Sequence, residues 1–180
     1  MASAPRQVKY AVAASLDGYI ASPDGGHDWI PMDPDIDFKA IFSRFDTLLI
    51  GRKTFAGMTK PGTKAGNAFG LKTVVFSTSL RAEDYPSVTL VRDRPGEAVA
   101  ALKAAPGKDI WLFGGGELFR SLAALGLVDA VGVAVVPVML GGGTPLFPAP
   151  ATRIPLKLVG QRTYEKSGIV SLEYVVERTA

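Results

Sequence analysis

Short apolar runs of strand length recur along this chain: Val8 to Ala14 (VKYAVAA), Thr47 to Ile50 (TLLI), Thr73 to Phe76, Val88 to Val91, Ile110 to Phe113 (IWLF) and Val131 to Val136. Strands that are apolar throughout, without polar alternation, are strands buried on both faces. Between them lie segments with helical spacing and helical punctuation. Asp33 reads as an N-cap with Pro34 at the first helical position, and Ile36, Ala40, Ile41 and Phe45 recur on one stripe, so a helix is expected over Pro34 to Arg44. Further helices are expected from Arg52, over Gly96 to Ala105, and over Glu117 to Leu125. Alternating strands and helices predict right-handed crossovers, giving an α/β fold with a mostly parallel central sheet and helices on both faces. Lys157 to Lys166 and Ile169 to Arg178 flank Ser167–Gly168 and read as a C-terminal antiparallel hairpin.

At 180 residues, with no linker, repeat or low-complexity tract, one domain is expected. The chain has no cysteine, which excludes thiolate metal sites and cysteine nucleophiles and suits a reducing, cytoplasmic setting. One histidine, His27, cannot build a multi-histidine metal centre, so no metal is expected. The formal charge of +3 is mild and scattered, so nucleic acid is not an expected partner. No signal peptide is expected, nor a membrane span, because the longest apolar stretch, Val131 to Leu140, contains Gly132 and Pro137. Lys60 to Gly70, rich in Gly, Lys and Pro, reads as an exposed loop.

The segment IWLFGGGELF, Ile110 to Phe119, runs a buried strand through three glycines into a helix. Glycines let a ligand approach the backbone, and a helix N-terminus offers N–H groups to an anion. Phe119 stands where the last glycine of the dinucleotide fingerprint belongs, so this is a different phosphate loop, or a tight turn without a ligand. LIGRKT, Leu49 to Thr54, repeats the arrangement and adds two cations and a hydroxyl, although Thr54 could simply cap its own helix. Three hydroxyls, Ser77, Thr78 and Ser79, close another strand. They suit either the adenosine end of a cofactor or a hydroxyl-rich turn. Trp111, in mid-strand, reads as core, and His27 as a loop residue.

With these motifs the chain resembles the dihydrofolate reductase superfamily. It is most similar to the reductase domain of the bifunctional riboflavin-biosynthesis deaminase–reductase (the RibD C-terminal domain) and its stand-alone relatives. The resemblance rests on AVAASLDGYIA (Ala11 to Ala21), LLIGRKTFAGM (Leu48 to Met58), VVFSTS (Val74 to Ser79), IWLFGGGELF and LVDAVGVAVVPVMLGGGTPLF (Leu127 to Phe147), in that order over nearly the whole chain. It implies the three-layer dihydrofolate-reductase-like fold and NADPH as cofactor. It places Ala13 and Ile20 against the nicotinamide, and Gly51, Arg52, Lys53 and Thr54 on phosphates. Ser77, Thr78 and Ser79 would lie beside the adenosine ribose. Phe113, Gly114, Gly115, Gly116, Glu117, Leu118 and Phe119 would wrap the pyrophosphate, with a cis Gly114–Gly115 peptide.

In folate reductases a carboxylate on the helix after a loop tryptophan helps protonate the substrate. Trp29 matches that tryptophan, and Asp35 is the expected carboxylate, with Asp33 and Asp37 as alternatives. A cleft lined by Trp29, Ile36 and Met58, the expected substrate contacts, would desolvate the Asp35 carboxyl and raise its pKa. The loop Ala21 to Trp29 would close over the nicotinamide. Ala134 falls where folate reductases carry a supporting threonine, which disfavours dihydrofolate itself. A chain with no cysteine and one histidine cannot house the zinc deaminase half. The expected function is an NADPH-dependent reductase of a small heterocyclic or carbonyl substrate. The riboflavin-pathway 5-amino-6-(5-phosphoribosylamino)uracil reductase step falls within this class. The alternatives are dihydrofolate reductase and, in another class, a non-catalytic nucleotide-binding homodimer. A homodimer is also the expected assembly of the enzyme.

Overall fold

A computed structural model describes residues 5–59, 68–149 and 153–178. The apolar runs become the strands of one eight-stranded sheet in the order β5-β4-β3-β6-β1-β7-β10-β9. Its members are β1 (Val8–Ser15), β3 (Phe45–Gly51), β4 (Lys72–Phe76), β5 (Thr89–Val91), β6 (Asp109–Gly114), β7 (Ala130–Val136), β9 (Leu156–Tyr164) and β10 (Ile169–Val176). A two-stranded ribbon joins β2 (Tyr19–Ala21) to β8 (Thr144–Pro145). The strands from β5 to β7 in the sheet are parallel, and β10 and β9 close one edge antiparallel. This is the expected dihydrofolate-reductase-like architecture with its C-terminal hairpin.

Helices cover both faces because alternate residues of the buried strands are apolar on both. On one face Val8, Tyr10, Leu49, Val74, Ile110 and Leu112 pack with Val99 of α3 (Pro95–Ala104) and with Leu118, Phe119 and Leu122 of α4 (Gly116–Ala124). On the other, Leu48 and Trp111 pack with Phe42 of α1 (Phe38–Ser43), and Ile50 and Val75 with Phe55 of α2 (Arg52–Met58). Farther along that second face the strands carry small residues in register. Ala11 pairs with Gly132 and Ala13 with Ala134, and Ser171 lies opposite Ala134. Directly paired residues share a face, so these positions make the floor of a trough.

The helix expected over Pro34 to Arg44 is shorter, and it starts later. The buried Asp33 carboxylate accepts the N–H groups of Asp35 (2.8 Å) and of Ser167 (3.0 Å), so 33–36 is a turn pinned to the β9–β10 hairpin. Asp37 is the cap, accepting from the Ala40 N–H at 2.8 Å. Phe45 is therefore no member of the helical stripe; it opens β3. Most of the expected loop, residues 60–67, lies outside the described residues. Its end, Ala68–Gly70, is a 3₁₀ turn with Phe69 left-handed at φ 59°.

Candidate active site

The carboxyl ends of β3 and β6 lie side by side, and each strand runs straight into a helix. α2 leaves toward one face and α4 toward the other, so a crevice opens between them, the place where open α/β sheets bind ligands. A cavity of about 1470 Å³ begins there, larger than the usual 300–1,000 Å³ of a small-molecule site. Gly51, Arg52, Lys53, Thr54, Gly115, Gly116, Glu117 and Leu118 all line it.

No side chain caps α2 or α4. Thr54 does not cap its own helix, and the first turn of α4 has no side-chain cap, its Leu118 N–H donating to the Gly115 carbonyl at 3.0 Å. The Gly114–Gly115 peptide is cis, and Gly114 has φ +123°, a backbone that L side chains rarely adopt. At Gly116 a Cβ would come within 2.8 Å of Pro148, so glycine is what lets the β8 segment close on the helix start. Arg52 has no ion pair among the described residues. Lys53 lies 3.8 Å from Glu117, with both side chains about three-quarters exposed. The donor set and the cradle fit a dinucleotide pyrophosphate.

Along the rim from this crevice stand Ser77 and Thr78. The Ser77 hydroxyl is consumed by its own turn, accepting from the N–H groups of Ser79 (3.2 Å) and Leu80 (3.1 Å). Ser79 itself does not line the cavity. Arg92 does, with its guanidinium donating to the Thr78 carbonyl. Sequence reasoning missed Arg92 because it follows β5, fourteen residues from Thr78, with no local motif.

Ala13 and Ile20 line the cavity on the other side of β6, with Ala21, Thr144 and Pro145. This wall joins two loops. Asp17 accepts from the Ser15 hydroxyl (2.6 Å), from the Gly141 N–H (2.7 Å) and from the Leu140 N–H (3.1 Å). Those bonds, the Ser15 hydroxyl foremost, outweigh desolvation and hold the Asp17 carboxyl below its ordinary value.

Ile36 and Met58 line the cavity, but Trp29, Gly114, Phe119 and Asp35 do not. Trp29 turns away, its ring packed with Val136, Tyr164 and Ile169 and its indole N–H on the Gly26 carbonyl at 3.2 Å. Phe119 is core, stacked on Tyr10 at 4.4 Å. Asp35 points outward from the 33–36 turn, its carboxylate 2.9 Å from the Lys166 ammonium. The apolar cleft expected to raise its pKa does not enclose it. The buried Asp33 carboxyl is instead held below its ordinary value, first by the Ser167 hydroxyl and then by the Asp35 N–H. His27 and Trp111 both line the cavity. Trp111 is thus both core and wall.

Among the described residues no group of three or more His, Asp or Glu could hold a metal ion, and no helix is long and apolar enough to cross a membrane.

A crevice of this kind, between helices leaving opposite faces of a sheet with this strand order, defines the class: a dihydrofolate-reductase-like α/β protein. The chain belongs to the RibD C-terminal domain family, whose sequence model matches residues 6–170. It is 37% identical over 179 residues to the uncharacterized protein YyaP of Bacillus subtilis, covering 94% of each chain. Among solved structures it is similar to a putative riboflavin biosynthesis protein from Shewanella sp. PV-4, with TM-score 0.75 and 26% identity over 97% of this chain and all of that one. It shares its fold with the dihydrofolate reductase of Enterococcus faecalis in complex with NADP(H), with TM-score 0.66 and 18% identity over 96% and 97% of the two chains. Family and fold together support an enzyme of the oxidoreductase class, a reductase of riboflavin-pathway type.

Proposed function

We propose that the protein is an NADPH-dependent reductase of a small heterocyclic or carbonyl substrate. The observation that carries this reading is the pair of helix starts, α2 and α4, neither with a side-chain cap, lining one crevice together with Arg52, which has no ion pair among the described residues. Two such starts beside a cation suit a pyrophosphate, and Ser77, Thr78 and Arg92 extend the same rim toward an adenosine phosphate. Bound there, the dihydronicotinamide supplies a hydride. The chain's own residues would bind and orient it: Arg52, Lys53, Thr54 and the 115–118 backbone would hold phosphates, and Ala13 and Ile20 would lie against the ring. None of Asp33, Asp35 and Asp37 lines the cavity, so the proton that completes the reduction comes from water in the open cleft, with His27 the one imidazole along it.

The enzyme assembles as a homodimer. β9 is an outer strand that exposes Leu156, Leu158 and Val159, an apolar edge that a second copy would cover. The deciding experiment is NADPH oxidation followed over a panel of pterins, quinones and ribosylaminopyrimidines, the riboflavin-pathway substrate among them. Turnover with any member supports the reading. Cofactor binding without turnover on any of them would favour a non-catalytic nucleotide-binding protein.

A further inference from the structure

Past Ala13 the cavity is a chamber walled by aromatic rings. Phe42, Phe69, Trp111 and Phe113 form a continuous cluster, with centroids 5.1 Å apart for Phe42–Phe69, 5.3 Å for Phe69–Trp111 and 5.1 Å for Trp111–Phe113. Phe38 extends it from Phe42 at 6.0 Å. All five line the cavity, yet Phe38 and Phe69 remain 36% and 43% exposed. Trp111 is fixed in place, its indole N–H donating to the Ala11 carbonyl at 2.9 Å. Ala11 is two residues from Ala13 on the same face of β1, about 7 Å along the strand, so the rings begin one ring-width from the expected nicotinamide position. The floor between is the flat row of Ala11, Gly132 and Ala134. Rings that pack on one another at tilted and edge-on angles, two of them partly exposed beside a floor of small residues, offer a planar molecule aromatic contact as well as burial.

Charge separates the two ends of the cavity. Among the described residues the lining cations at this end are Lys9 and Arg44, and both have carboxylate partners: Lys9 pairs with Asp109 at 2.6 Å and Arg44 with Glu173 at 3.0 Å. At the cofactor end Arg52 carries no such partner among the described residues. An anionic group entering the aromatic chamber would have to displace a carboxylate, whereas a neutral ring would not.

We propose that the hydride acceptor is an uncharged, planar, conjugated carbonyl ring, of the quinone or unphosphorylated flavin type, seated on Phe38, Phe42, Phe69 and Phe113. The proposal rests on the reductase reading and narrows its substrate class, turning it away from phosphorylated acceptors. The step balances as one hydride from NADPH and one proton from water added to the ring, giving the dihydro ring and NADP⁺.

Riboflavin and its 5′-phosphate test it, since they share one ring and differ by the phosphate. Each is titrated into the protein saturated with NADP⁺, which blocks turnover, by calorimetry and tryptophan fluorescence. Riboflavin is expected to bind at least tenfold more tightly than the phosphate and to quench Trp111. Phe69→Ala should weaken riboflavin about fivefold and leave NADP⁺ affinity unchanged. Should that variant fail to fold by circular dichroism, Phe38→Ala, on an exposed helix position, gives the same readout. Equal or tighter binding of the phosphate overturns the proposal, as does unchanged riboflavin affinity in the folded variant, or NADP⁺ binding with no binding of either flavin. Riboflavin binding to a protein that does not bind NADP(H) leaves the ring site standing and removes the reductase reading instead.

Discussion

The Asp35 carboxylate lies 2.9 Å from the Lys166 ammonium, across 131 residues of sequence, with the two side chains 48% and 60% exposed. Lys166 is held above its ordinary pKa chiefly by that hydrogen bond. An exposed pair of this kind contributes little to stability and cannot deliver a proton into a cleft it does not line. Asp35→Asn is therefore expected to keep kcat within about twofold from pH 5 to 8, where loss of a working acid would cost roughly 10²–10⁴. Steady-state NADPH oxidation checks it, and a fall of a hundredfold would return Asp35 to the chemistry.

Gly115→Val should abolish cofactor binding and leave a folded protein. A Cβ there would sit 3.2 Å from Thr54 Oγ1, inside the space between the two helix starts. Calorimetry is expected to show NADPH affinity reduced at least a hundredfold, about 2.7 kcal/mol of lost binding. Circular dichroism supplies the control for folding.

NADPH should bind at least tenfold more tightly than NADH, a difference that one net charge-assisted contact provides, at roughly 1.5–3 kcal/mol. Arg92 stands on the same rim as Ser77 and Thr78. Arg92→Ala is expected to erase most of that preference and to leave NADH affinity unchanged. Equal loss for both cofactors would assign Arg92 to the turn it braces.

Acid should loosen the wall that Asp17 ties together. The folded state holds this carboxyl below its ordinary value, so folding favours the ionised form. Its contribution is complete above the unfolded value of about 3.9 and disappears as pH falls through the lower folded value. Asp33 titrates with the same sign. Asp17→Asn is accordingly expected to lower the urea midpoint at pH 7, by a gap that narrows as pH falls below about 3.9. A gap that does not narrow with acid would mean that the charge of Asp17 is not what the two loops share.

Light scattering across the micromolar range is expected to return about twice the 19.0 kDa chain mass. Leu158→Lys, on the exposed edge of β9, should shift the protein to monomer without loss of secondary structure. A parent protein that scatters as a monomer removes the dimer.

The strand runs, the glycine turns after β3 and β6 and the C-terminal hairpin were legible in the sequence by itself, because apolar period and turn chemistry act over a few residues. The crevice between α2 and α4 was legible for the same reason: each half is a local strand–glycine–helix unit. The start of α1 was not, since Asp33 is drawn out of its capping role by Ser167, which only the β9–β10 hairpin brings near. Trp29 and Phe119 carry apolar rings that suit a cleft or a core equally, and the packing of Val136, Tyr164 and Tyr10 around them decided for the core. The aromatic chamber joins Phe42 on a helix, Phe69 in a turn and Trp111 on a strand, whose rings meet only after the sheet has formed. Contacts between residues forty to more than a hundred positions apart leave no periodic trace in a single chain. Tertiary structure alone therefore settled where each carboxylate points and which rings face the cleft.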